Sequence, residues 1–190
     1  KNLSENNSWS NFQNRFFAFA KAESFGARVS VIKKNVNDVI TENQTERVIR
    51  ETNQGISLLS YFGHGASTGT EVSFGEPRNY NNKNKTPVYL INGCSTGNVF
   101  SNSNSLAEQF VLQKDFGGIA WMGTTSEGTA TQLSDATNQF YKNWFQDFYG
   151  KPIALGFQKA LKVFYNSDDL LNLAHVRQYI FIGDPALTFY

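Results

Sequence analysis

Four short apolar runs, each ending in a glycine-bearing turn, constrain this chain more than any other feature. They are residues 56–62, 87–91, 118–122 and 178–182, and they run into Gly63-His64-Gly65, Asn92-Gly93-Cys94, Gly123-Thr124-Thr125 and Gly183-Asp184-Pro185. Each is apolar on both faces, which suits strands covered on both sides rather than strands with one wet face. Stretches with helical spacing alternate with them. In residues 9–25, Trp9, Phe12, Phe16, Phe19 and Ala20 share a face, and Gly26 closes the helix. A second helix opens at Asn37 or Asp38 and is stopped by Asn53-Gln54-Gly55, and further helices are expected at 105–115, 130–148 and 152–165. Residues 28–34, with Val29, Val31 and Ile32, read as one more short strand. The alternation predicts an α/β fold with a mostly parallel sheet and helices on both faces.

The 190 residues suffice for a single domain with a proper core. The chain opens on a polar stretch and a helix, without Met, whereas sheets of this type usually open with a strand. The expectation is therefore a fragment of a longer protein, with a strand or subdomain upstream. Seventeen basic against sixteen acidic residues leave a net charge of +1, which offers no general attraction to nucleic acid. No apolar run approaches the roughly 20 residues of a membrane span, and residues 1–26 do not read as a signal peptide. One cysteine allows no disulfide framework. There is no Cys/His cluster for zinc and no acidic cluster with calcium-ligand spacing. The order of elements also suits a nucleotide binder, but the phosphate loop such a protein needs is missing.

Two of the strand ends carry reactive groups. In open α/β sheets, ligands bind beyond the carboxyl ends of the strands. His64 follows the 56–62 run and Cys94 follows the 87–91 run, so neighbouring parallel strands would present both at one sheet edge. An imidazole beside a thiol favours the nucleophilic thiolate and can return a proton to a leaving amine. Gly63, Gly65, Gly93 and Gly97 let the backbone approach a substrate closely, and the N–H groups of Gly65 and Cys94 suit an oxyanion. His175, ahead of the last run, reads as a structural histidine.

The segments Leu58-Leu59-Ser60-Tyr61-Phe62-Gly63-His64-Gly65 and Ile91-Asn92-Gly93-Cys94-Ser95-Thr96-Gly97 resemble the gingipain family of cysteine peptidases, in the caspase-like clan. That family also includes the signal peptidase of the type IX secretion system. Gly117-Gly118-Ile119-Ala120 and the closing Tyr179–Leu187 segment, with its Gly183-Asp184 pair, fit the same pattern. The resemblance implies a caspase-like three-layer sandwich, with Cys94 as nucleophile, His64 as general acid/base and Gly65 as an oxyanion donor. It implies an orienting acid upstream of the histidine, for which Glu5 stands near the right distance. It places the 121–127 segment at the specificity pocket, with Trp121 and Met122 as walls and Glu127 as a charge that attracts a basic side chain, while Glu71 and Glu76 in the loop after His64 are equally available acids. It further implies a bacterial protein secreted to the periplasm or cell surface, protein or peptide substrates, and other domains of the same precursor as partners. No cofactor is expected; calcium enters by family resemblance alone.

Two functions from different classes follow. The first is an endopeptidase, or a transpeptidase, working through an acyl-enzyme on Cys94. The second is a non-catalytic scaffold or binding module of a bacterial secretion apparatus that retains the fold and even the dyad.

Overall fold

The computed structural model describes residues 3–33, 42–100, 104–165 and 168–190, with side chains in the first helix from Trp9 and in the second from Gln44. The chain divides into two compact units. One comprises Val31–Glu127 and Tyr179–Gly183, and the other comprises Lys1–Ser30, Gly128–Gln178 and Asp184–Tyr190.

The first of these units holds the sheet. Its strands are β1 (Leu58–Phe62), β4 (Val88–Asn92), β5 (Ala120–Thr124) and β6 (Tyr179–Gly183), in the order β1-β4-β5-β6. β1, β4 and β5 are parallel, and β6 runs antiparallel to β5. The α/β class and mostly parallel sheet expected from the sequence are thus present. All five residues of β4 and all five of β5 are buried, as expected of central strands covered on both faces. On one face Tyr61, Tyr89, Ile91 and Trp121 join Val48, Phe74, Tyr80, Leu106 and Phe110 in a largely aromatic core. Tyr89 stacks on Trp121 with ring centroids 5.3 Å apart, while Phe74 meets Phe110 edge-on at 6.1 Å. Such offset and edge contacts are favoured by the ring quadrupoles.

Two helices flank this core: α2 (Glu42–Gln54), which supplies Val48, and α3 (Leu106–Val111). α3 begins with a full capping box, in which Ser105 accepts from the Glu108 N–H and the Glu108 carboxylate accepts from the Ser105 N–H. A two-residue hairpin, β2 (Gly65–Ala66) and β3 (Gly69–Thr70), stands directly after β1. The sequence analysis treats this segment as loop. Asn82 is wholly buried and bonds both polar groups of Gly117, donating to its carbonyl at 2.7 Å and accepting from its N–H at 3.0 Å. That exchange fixes the entry into β5.

The second unit is helical. It contains α1 (Leu3–Lys21), α4 (Ala130–Lys142), α5 (Ile153–Tyr165) and α6 (Leu170–Val176). Phe16 of α1 meets Tyr141 of α4, and Phe140 stacks on Phe157 of α5 with centroids 5.0 Å apart. α4 ends at Lys142, and the chain continues as a π-helical turn over Asn143–Asp147, closed by a 2.7 Å bond from Phe148 N–H to the Asn143 carbonyl. The wide turn aims Trp144 into the core, where its indole N–H donates to the Ile153 carbonyl at 2.9 Å.

Two sequence expectations need correction, and one element is unexpected. Residues 28–33 form no strand, although Val29 and Val31 alternate in burial with exposed neighbours as strand residues do. Ile32 packs on the aromatic core, so the apolar pattern records burial without a backbone ladder. The expected 130–148 helix is α-helical only to Lys142. α6, capped by Asp169, is an addition that the sequence analysis lacks. The expected start of the second helix at Asn37 or Asp38 lies outside the described residues.

Candidate active site

β1 and β4 pair in register, with Phe62 opposite Asn92. Each strand is followed after one glycine by a reactive side chain, His64 in one case and Cys94 in the other. Because the strands are parallel and in step, both residues leave the same sheet edge at the same height. Backbone pairing extends one residue further, from Gly63 N–H to the Asn92 carbonyl at 3.1 Å.

The two turns then touch through main-chain atoms. A methyl group on Gly93 would stand 2.9 Å from the Gly63 carbonyl oxygen, 3.1 Å from the Gly65 nitrogen and 3.2 Å from its Cα. One on Gly65 would stand 3.3 Å from Gly93 Cα and 3.4 Å from the Cys94 carbonyl oxygen. Glycine is needed here because the histidine turn and the cysteine turn approach as closely as backbones can. His64 is exposed and Cys94 half-buried, so the edge is open to a reactant.

The turn that carries Cys94 is held from below by β5. The Thr124 hydroxyl lies 2.9 Å from the Gly93 carbonyl, and the Thr96 hydroxyl lies 2.5 Å from the Ile91 carbonyl. Gly97 N–H donates to the Thr124 carbonyl at 2.8 Å, and the Trp121 indole N–H donates to the Thr96 carbonyl at 3.1 Å. Ser95, immediately after the cysteine, has φ 57, a left-handed conformation that a serine adopts only under constraint. Its N–H donates to the Ser126 carbonyl at 2.9 Å. From the opposite side of β5, the Tyr179 hydroxyl of β6 donates to Asn92 Oδ1 at 3.0 Å, and burial raises the pKa of that phenol.

The other residues singled out in the sequence fall into separate places. Gly65 lies in β2 opposite Thr70, beside Gly93. Glu127 is exposed, next to the Ser126 carbonyl that receives the Ser95 N–H, so its loop borders the cysteine turn. Trp121 and Met122 are corrected: both are wholly buried. Trp121 is stacked in the aromatic core and holds the cysteine turn from beneath, rather than walling an open pocket. Glu5 lies in α1, but its side chain is outside the described residues. His175 is buried in α6 with its ring edge against Gly128, and burial lowers its pKa to about 4. Gly183 and Asp184 stand at the other edge of the sheet from Cys94, because β6 is antiparallel and Gly183 pairs with Ala120.

Sequence reasoning missed the supporting residues Tyr61, Asn92, Thr96, Thr124 and Tyr179. Thr96 and Thr124 do stand in the turns after β4 and β5, where a hydroxyl can bond free carbonyls. Nothing in the sequence pairs Tyr179 with Asn92. Among the described residues, no three His, Cys, Asp or Glu side chains gather as a metal site requires.

Fold and edge together define an α/β sandwich of the caspase-like kind, with a histidine and a cysteine on adjacent parallel strand ends. The chain belongs to peptidase family C25, whose profile matches residues 3–190. Solved structures agree on the fold. A crystal structure of the Arg-specific cysteine proteinase gingipain R (RgpB) superposes with a TM-score of 0.79 at 17% identity, over 94% of this chain and 42% of that one. The complex of Porphyromonas gingivalis RgpB pro- and mature domains gives 0.77 at 17% identity, over 92% and 42%. A third protease structure gives 0.60, also at 17% identity, over 74% and 37%. The chain therefore spans about two fifths of the gingipain chains it matches. No curated protein matches its sequence.

Proposed function

We propose that this chain carries the catalytic centre of a cysteine endopeptidase, with Cys94 as nucleophile and His64 as general acid/base. The observation that supports it best is the in-register pairing of β1 with β4, which brings the His64 and Cys94 turns into backbone contact. In this reading the Cys94 thiolate attacks the scissile carbonyl carbon, and a C–S bond forms as the C=O electrons move to oxygen. The N–H groups of Gly65 and Cys94 receive that oxyanion. Collapse breaks the C–N bond, and His64 gives its proton to the leaving amine. A water that loses a proton to His64 then hydrolyses the thioester and regenerates the thiol. An amine in place of that water makes the same centre a transpeptidase.

Glu127, exposed beside the cysteine turn, provides the negative charge that would draw a basic residue to the position before the scissile bond. Family membership supports a protein or peptide substrate, secretion to the bacterial periplasm or surface, and a setting among other domains of one precursor. A link to type IX secretion rests on resemblance alone. Among the described residues, no helix is long and apolar enough to cross a membrane. The share of the gingipain chains covered, 42%, also leaves room for a binding module that keeps the dyad without turnover.

The deciding experiment measures alkylation of the lone cysteine against pH, alongside hydrolysis of fluorogenic peptides with Arg, Lys or Gln before the cleaved bond. Alkylation near neutral pH should be fast in wild type and markedly slower in His64→Ala. The peptides with Arg and Lys should be cleaved faster than that with Gln, and Glu127→Gln should narrow the difference. A thiol indifferent to His64 refutes the peptidase reading, whereas a reactive thiol without turnover supports the binding module.

A further inference from the structure

We infer that Tyr61 is a positioning residue for His64, its hydroxyl pinning the histidine turn from below; this rests on His64 acting with Cys94 as proposed above. Tyr61 lies on β1 three residues before His64, and its ring is buried edge-on against Phe74 at 5.8 Å. Its hydroxyl reaches back under the turn and donates to the His64 carbonyl oxygen at 2.5 Å. The phenol oxygen in turn accepts from Glu71 N–H at 3.2 Å. Glu71 N–H also reaches the His64 carbonyl, at 3.1 Å, so three groups close on one another around the turn. A phenol held in the core stays protonated, because burial raises its pKa, and so it remains a donor.

The space beneath the turn is shaped for this hydroxyl. A methyl group on Gly63 would lie 2.5 Å from the Tyr61 oxygen, so the turn can settle on the phenol only with glycine there. Glu71 is the first residue after β3, so the bond to its N–H also ties down the return strand of the 65–70 hairpin. At the hairpin tip, the Ser67 carbonyl accepts from Leu106 N–H at 2.8 Å, at the start of α3. The backbone that carries His64 is thereby fixed at three points, and Tyr61 supplies the one directly under the imidazole-bearing residue. A core tyrosine would need only one partner for its hydroxyl. This one donates to the His64 carbonyl and accepts from Glu71 N–H, so it ties the histidine turn to the end of the hairpin, which is what marks it as positioning rather than filling.

The test compares wild type, Tyr61→Phe and His64→Ala in Cys94 alkylation by iodoacetamide against pH, in turnover of a fluorogenic peptide with Arg before the cleaved bond, and in Tm. Tyr61→Phe keeps the ring and removes only the hydroxyl. Misplacing a reacting group by about 1 Å costs on the order of 100-fold, so turnover should fall about 10- to 100-fold with KM changed less than about threefold. The alkylation rate near neutral pH should fall toward that of His64→Ala. A Tyr61→Phe protein with lowered Tm but the wild-type alkylation profile and kcat overturns the positioning role. Equal profiles for wild type and His64→Ala refute the dyad itself, and the positioning role with it, which separates the two failures. If Tyr61→Phe does not fold, Glu71→Pro removes the N–H that meets both the phenol and the His64 carbonyl, and wild-type kcat and alkylation in that variant would overturn the pinning of the turn.

Discussion

Replacing Gly93 with alanine tests whether close contact between two backbones sets the geometry of the site. Gly93 does not have a positive φ, so alanine carries no conformational penalty there. The added methyl instead meets three main-chain atoms of the histidine turn, at 2.9, 3.1 and 3.2 Å. None of these can rotate away, and ordinary contact at a Cβ begins near 3.4 Å. The two turns must separate by about half an ångström, and overpacking of this kind costs about 1–3 kcal/mol of stability. The effect on chemistry is larger, because the separation falls between the proposed nucleophile and base, where about 1 Å is worth on the order of 100-fold. Urea denaturation and peptide turnover should therefore show a modest shift in midpoint and a loss in kcat of at least about tenfold. Gly69→Ala, in the hairpin that follows the histidine turn and with nothing within 4 Å, is the control and should behave as wild type. Wild-type kcat in Gly93→Ala would refute the reasoning, as would an equal loss in Gly69→Ala.

Two further outcomes follow from single residues. Ser95 holds φ 57. Ser95→Gly removes left-handed strain and should be as stable as wild type or up to about 1 kcal/mol more so, whereas Ser95→Val should lose more than about 1 kcal/mol in urea melts. Equal stability of the two variants would show that the turn is not strained. His175 has its pKa lowered to about 4 by burial, below the unfolded value of about 6.5. The unfolded chain therefore binds the proton first as pH falls. Stability from this group is complete above about pH 6.5 and is lost toward pH 4, by up to about 3 kcal/mol. A pH series of melts should show that slope in wild type and a shallower one in His175→Gln; identical slopes would refute it.

The strand ends were legible in the sequence because their chemistry is local. An apolar run followed by Gly-His-Gly or Gly-Cys reads as a strand and its turn, and β1 and β4 lie where those runs are. The register that brings His64 level with Cys94 was inferred from strand order rather than read, since nothing in either run specifies its partner. The direction of β6 was hidden for the same reason: a buried strand looks alike in both orientations, and only pairing puts Tyr179 near Asn92 and sends Gly183 to the other edge. Trp121 and Met122 are read as pocket walls from family resemblance alone, and in a strand buried on both faces, both side chains are wholly buried. The 28–33 segment shows the converse error, in which β-branched residues follow a strand pattern and bury without a ladder. The 65–70 hairpin and Tyr61 left no periodic signal, being too short in one case and a single residue in the other.

The unit that holds the site is not continuous in the chain. β6 rejoins it only after the whole of Gly128–Gln178 has gone into the other unit. During synthesis, the strand bearing the cysteine turn emerges early, but its sheet stays open along β5 until Tyr179–Gly183 arrives. Until then β5 is a bare edge able to recruit a foreign strand, and the Asn92 amide lacks the phenol that holds it. A chain interrupted before Tyr179 keeps β1 paired with β4 but has an open β5 edge and no phenol on Asn92, so the support beneath the cysteine turn is completed only late in translation.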